Sequence, residues 1–205
     1  MQQLLEEDEG YDELTAAFAV AVQGFHGHLA DLLLRAGADA RRCAPQELVS
    51  LREAVDSGSP ALVGVVLGSG LRDRYPAFEL MEARDLAGTW HEAGTEAELR
   101  RRTNAQADPV RSRVQDAEYY TVDEFTLGGL TVRDGHGAIL TDMEELLGIR
   151  ASCEELLTRA LERDCDHAAW GLAAIVMSHR RDRETWQAAE ALRTGADAAD
   201  CSVPR

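Results

Sequence analysis

The chain contains no lysine. Its 205 residues include 21 basic ones, and every one of them is arginine. A Walker-type nucleotide loop needs a lysine on the β- and γ-phosphates, so the chain cannot form one. A protein-kinase fold needs a lysine on a strand beside the nucleotide, and that is missing as well. A pyridoxal phosphate Schiff base is likewise impossible. No cofactor is expected. Asparagine is nearly absent, with Asn104 alone. No long apolar run exists either. The longest, Ala61 to Leu67, is far too short to cross a bilayer. The cysteines Cys43, Cys153, Cys165 and Cys201 form no CxxC pair and are too sparse for a disulfide scaffold. The first residues are acidic, where a secretory leader would be basic. These absences point to a soluble, cytoplasmic protein with reduced thiols.

Negative charge is in excess. The chain holds 37 acidic residues, for a net charge of −16. Such a field repels phosphate, so neither nucleic acid nor an anionic membrane is expected as a partner. A protein partner, and a basic one in particular, fits the charge.

The apolar pattern is mainly helical. From Tyr11, residues such as Leu14, Phe18, Val22, Phe25, Leu29, Leu32 and Leu33 recur at three and four positions. Gly24 and Gly27 interrupt this stripe, which leaves one helix or two. Pro45 suits the start of a second helix carrying Leu48, Leu51 and Val55. Ala77 to Trp90 forms another, with Phe78, Met81, Leu86 and Trp90 able to share a face. Thr95 and Glu98 have the spacing of a capping box, as do Thr141 and Glu144.

Between these helices the period changes. Asn104 to Asp116 is polar and reads as a linker. Tyr119 to Leu140 is rich in β-branched and aromatic residues, and Gly128-Gly129 sits between "FTL" and "LTV" as a two-residue hairpin turn. Asp134-Gly135 offers a second turn before a strand at Ala138 to Leu140. Ala151 to Thr194 reads as three helices. The fold class is therefore mainly α: an irregular bundle, or stacked pairs resembling HEAT repeats, with a small antiparallel meander near residues 119–140. An N-terminal helical part over 11–103, a linker over 104–117 and a meander-plus-helix part over 118–194 form one compact domain overall. Residues 1–10 and 195–205 are expected to be flexible ends.

Few residues combine into chemistry. Cys153, Cys165, His167 and His179 are metal-ligand types, but twelve helical residues rise about 18 Å, which separates the pairs too far for one zinc ion. Asp166 is better placed as a helix N-cap, and no metal site is expected. His26 and His28 lie two apart, so they do not share a helix face. Asp134 and His136 fall in a turn whose first role is conformational. Arg100, Arg101 and Arg102, followed by Arg111 and Arg113, make the one basic cluster, a candidate for docking an acidic partner or phosphate. The competing reading is arginines that offset a helix C-terminus.

The stretch "VVLGSGL" (Val65 to Leu71) resembles the phosphate-binding loop of purine nucleoside phosphorylases. That resemblance implies a strand ending near Leu67, with Ser69 between Gly68 and Gly70 as the phosphate ligand; Arg72, close by in sequence, is a candidate to join it. Physically, glycines let backbone N–H groups approach an anion. The alternative is a helix, with Ser59 as N-cap and Pro60 in the first turn. No complete catalytic set is present. The sequence therefore points first to a non-catalytic, acidic helical interaction protein: an adaptor, a regulator or an immunity-type inhibitor. A small enzyme or ligand-binding protein with a phosphate or nucleotide site at Gly68-Ser69-Gly70 is the alternative.

Overall fold

The computed structural model describes residues 2–68 and 72–187, with side chains from residue 13 onward. It is mainly helical, with a small three-stranded antiparallel sheet in the order β1-β2-β3. The elements are α1 (Gln2–Gln23), α2 (Gly27–Arg35), α3 (Leu51–Asp56), α4 (Pro60–Leu67), α5 (Ala77–Ala93), α6 (Thr95–Thr103), β1 (Val110–Ala117), β2 (Tyr120–Leu127), β3 (Leu130–Arg133), α7 (His136–Leu147), α8 (Cys153–Leu161) and α9 (Ala168–Arg180). Residues 183–187 begin a further helix, so the third C-terminal helix is present at its start.

The ambiguous apolar run is helical. Ser59 caps α4 by accepting the Leu62 N–H at 3.2 Å, and Pro60 occupies its first position. Five of the eight residues of α4 are buried, which explains why its sequence shows no amphipathic period. The helix sits inside the largest apolar cluster, between Phe18 and Val22 of α1, Leu51 and Val55 of α3, Leu80 and Ala87 of α5, and Ile139 and Met143 of α7. Gly27 of α2 packs against its backbone, and a Cβ there would lie 2.6 Å from the Leu62 nitrogen. A second cluster, Trp90, Leu99, Phe125, Leu127 and Val132, joins α5 and α6 to one face of the sheet.

Several sequence expectations are corrected. The helix expected from Tyr11 begins at Gln2, and the stripe breaks after Gln23 into two helices. Pro45 starts a short 3-10 turn, while the helix proper starts at Leu51 under a Ser50–Glu53 capping box. On α5 the buried face is Leu80, Ala83, Ala87 and Trp90, and Phe78 and Met81 are exposed. Strand β1 occupies Val110–Ala117, inside the stretch read as linker, because its side chains are polar and largely exposed. The Gly128-Gly129 hairpin is present, with φ of 59° and 81° as a type I′ turn requires. Ala138 to Leu140 is not a strand but part of α7. Neither threonine caps a helix: Thr95 donates its hydroxyl to Asp134, and Thr141 lies inside α7 and donates to the Gly137 carbonyl. His167, not Asp166, caps α9.

Candidate functional site

Two turns and one edge of the sheet converge on one cleft of about 440 Å³. The α1–α2 turn contributes Gly24, Phe25 and His26. The end of α3 and the turn after it contribute Glu53, Asp56, Ser57 and Ser59. The sheet contributes Glu124 and the whole of β3.

Phe25 stands out first. Its φ is +58°, a left-handed conformation that bulky L-residues seldom adopt. The turn is held by hydrogen bonds from the Phe25 N–H to Val22 and from the His26 N–H to Ala21. Glycine would end α1 with less strain. Instead the chain keeps a phenylalanine there with 39% of its surface exposed, beside the cleft. Leu130, on the opposite wall, is similarly exposed at 36%.

The floor is a set of internal ion pairs. Asp116 is 1% exposed and accepts from the Ser59 hydroxyl at 2.5 Å, the Ala61 N–H at 2.8 Å and Arg133 Nη1 at 2.9 Å. A carboxylate at the start of α4 also complements the helix dipole. Arg133 reaches Glu124 at 3.4 Å with Nε. The main chain reinforces this join: the Arg133 N–H donates to the Ser57 carbonyl at 2.8 Å and the Gly135 N–H to Gly58 at 3.0 Å. Gly58 has φ of +70° and lies so close that a Cβ would run into the Arg133 carbonyl.

Behind the floor lies an aromatic network. Asp56 accepts from Trp90 Nε1 at 2.8 Å and from Arg102 Nη1 at 2.7 Å. The Arg102 guanidinium lies 4.3 Å from the centroid of the Trp90 ring. His136 stacks on the same indole at 4.6 Å and 6°. This histidine is fully buried, and neither ring nitrogen meets hydrogen-bond geometry, although the Val55 carbonyl is close. Burial pushes its pKa down to about 3, only partly countered by the Asp56 charge. Glu98, also buried, receives hydrogen bonds from Arg101 and Arg102 that hold its carboxyl at about 2.

The two serine hydroxyls at the cleft are both engaged. The Ser59 hydroxyl is 1% exposed and committed to Asp116 and Leu62. The Ser57 hydroxyl donates to the Ala54 carbonyl at 2.6 Å. Neither is a free nucleophile beside a base.

Of the residues singled out from sequence, His26 lines the cleft and Arg102 and His136 lie in the network behind it; the other described ones fall elsewhere. Gly68 is the C-cap of α4, where a row of helix carbonyls disfavours an anion. Ser69 and Gly70 lie outside the described residues. Arg72 donates to the Leu146 carbonyl at 3.4 Å. The pocket at Gly68 also contains the Asp31 carboxylate, with Arg35 already paired to Asp31 and Glu118. Arg100, Arg101 and Arg102 are all answered by carboxylates: Glu96 and Asp108, Glu98, and Glu98 with Asp56. Cys153 is buried against the Thr185 hydroxyl at 3.5 Å. His167 is buried at the start of α9, where it accepts from the Ala169 N–H and lies 3.2 Å from the Asp134 carbonyl. The cleft residues Phe25, Asp56, Thr131 and Arg133 escaped the sequence reading. Their nearest signals were the glycines flanking Phe25 and the hairpin turn before Thr131. Comparisons of this chain with protein-family models, curated proteins and solved structures each return no match.

Proposed function

We propose that the protein is a non-catalytic interaction protein that receives a partner protein at the cleft between the α1–α2 turn, the α3–α4 turn and β3. One observation carries this reading: a strained, part-exposed Phe25 faces a cleft whose arginine, Arg133, is paired internally with Asp116 and Glu124. Backbone strain concentrates where function holds it in place. Aromatic side chains are enriched at the cores of protein interfaces. The fold would serve as an acidic helical adaptor, regulator or inhibitor. Cys43 and Cys153 are buried as free thiols, which suits the cytoplasm as its place.

The test is isolation of the affinity-tagged full chain from its native cells, beside the Phe25→Asp/Leu130→Asp double variant. A stoichiometric protein partner should accompany the wild type and be lost from the variant. Wild type emerging alone, or a partner retained equally by both, overturns the proposal.

A further inference from the structure

The two edges of the sheet are unlike. Edge strands offer unpaired N–H and C=O groups, and proteins normally guard them with charges, bulges or cover. β1 carries Arg111 and Arg113 and a register shift between Gln115 and Ala117, which is such a guard. β3 has neither. Its residues Leu130, Thr131 and Val132 are uncharged, and Leu130 and Thr131 are exposed.

The register shows which backbone groups face outward. Leu127 pairs with Leu130 across the two-residue turn, so Thr126 and Thr131 form the next, non-hydrogen-bonded pair. Their hydroxyls lie 2.8 Å apart, as the close approach in such a pair allows. Arg133 is two residues further and has the same phase. Its N–H points away from β2 and is taken by Ser57. The Thr131 N–H and C=O therefore point the same way, into the cleft that Thr131 lines.

The rim of that cleft is acidic. Glu53, Asp56 and Glu124 line it: Asp56 is paired with Arg102, Glu53 is bonded to the neutral Ser50, and Glu124 shares Arg133 with Asp116, which leaves negative charge in excess. The whole chain carries −16. We infer that the cleft takes an extended basic segment of the partner, which adds to the edge of β3 at Thr131 while its arginine or lysine side chains meet Glu53 and Glu124. The inference rests on the interaction reading and names the chemistry of the occupant. Main-chain bonds to an edge supply affinity in such docking, and alternate side chains supply selectivity. Charge complementarity selects the partner and speeds its approach.

A random dodecapeptide library displayed on phage tests this against the full chain. Recovered peptides should be enriched in arginine and lysine. Their binding should weaken at least tenfold in Thr131→Pro, which removes the outward N–H without touching the pairing to β2. Thr131→Val keeps that N–H and should bind like wild type. Glu53→Gln/Glu124→Gln should lose the preference for basic peptides. Should Thr131→Pro fail to fold, amide exchange of Thr131 in wild type replaces it: slowing on peptide addition supports the inference, and no change overturns it. Peptides without basic enrichment, or binding unaffected by Thr131→Pro, overturn the inference and leave the interaction reading standing. Recovery of no peptide overturns it as well. The interaction reading itself fails only in the co-isolation experiment.

Discussion

His136 makes the energy of this fold depend on pH in a way that one substitution isolates. The imidazole is buried and its nitrogens lack hydrogen bonds, so the folded chain holds it neutral down to about pH 3. In the unfolded chain it takes up a proton near pH 6.5. The unfolded state therefore binds more protons as pH falls through that window. Stability linked to His136 is fully present above about 6.5 and is lost as pH drops toward 3. At pH 5 the gap is about 1.5 pH units, worth about 2 kcal/mol at ~1.36 kcal/mol per unit. Any folded value well below 5 gives the same result. His136→Phe keeps the stack on Trp90 and gives up only the contact with the Val55 carbonyl, which falls short of hydrogen-bond geometry. Urea unfolding at pH 7.5 and pH 5.0 should show wild type losing about 2 kcal/mol more than the variant between the two conditions. His91 and His167, whose pKa values burial also lowers, are common to both proteins and cancel. His136→Leu gives the same comparison should the phenyl ring overfill the site. Parallel losses in wild type and both variants would refute the reasoning.

Three further outcomes follow from the same geometry. Asp116→Ala leaves Arg133 only the longer pair with Glu124 and takes the acceptor from the Ser59 hydroxyl and the Ala61 N–H, and should destabilise the fold by about 3–5 kcal/mol in urea unfolding, with Asp116→Asn milder. Gly27→Ala drives a methyl group against the α4 backbone and should cost about 1–3 kcal/mol, seen as a lower melting temperature by circular dichroism. Phe25→Gly relieves the left-handed strain and should stabilise the protein by about 1 kcal/mol, yet abolish partner co-isolation. Loss of stability with partner retained would reverse the role given to Phe25.

The helical class, the Gly-Gly hairpin and the start of α4 were legible in the sequence because each rests on local chemistry. Ser59 and Pro60 announce a helix start whatever surrounds them, and Gly128-Gly129 suits a turn with two positive φ values. β1 was not legible. Its polar side chains face solvent on most positions, so neither hydrophobicity nor alternation marks it as a strand. The α5 face was misassigned because Ala83 and Ala87 are small enough to let other helices approach, while Phe78 and Met81 are larger but exposed. The cleft was hidden for a different reason. Phe25, Asp56 and Arg133 are distant in sequence, and only tertiary pairing brings them together. His136 looked like a turn residue beside Asp134-Gly135. Nothing local distinguishes that from a buried ring at the first position of α7.

The staple between the α3–α4 turn and the end of β3 has a consequence for synthesis. Arg133 lies 74 residues beyond Ser59. When α3 and α4 leave the ribosome, the Ser57 and Gly58 carbonyls have no donors yet, and the Ser59 hydroxyl, which caps α4, has no acceptor for its proton. Asp116, Arg133 and Gly135 are still to be made. Until then the first helices expose a polar notch together with the apolar surface that α7 later covers. A ribosome paused between residues 60 and 116 would thus display a surface suited to a chaperone, and clearing α7, through Leu147, would close it.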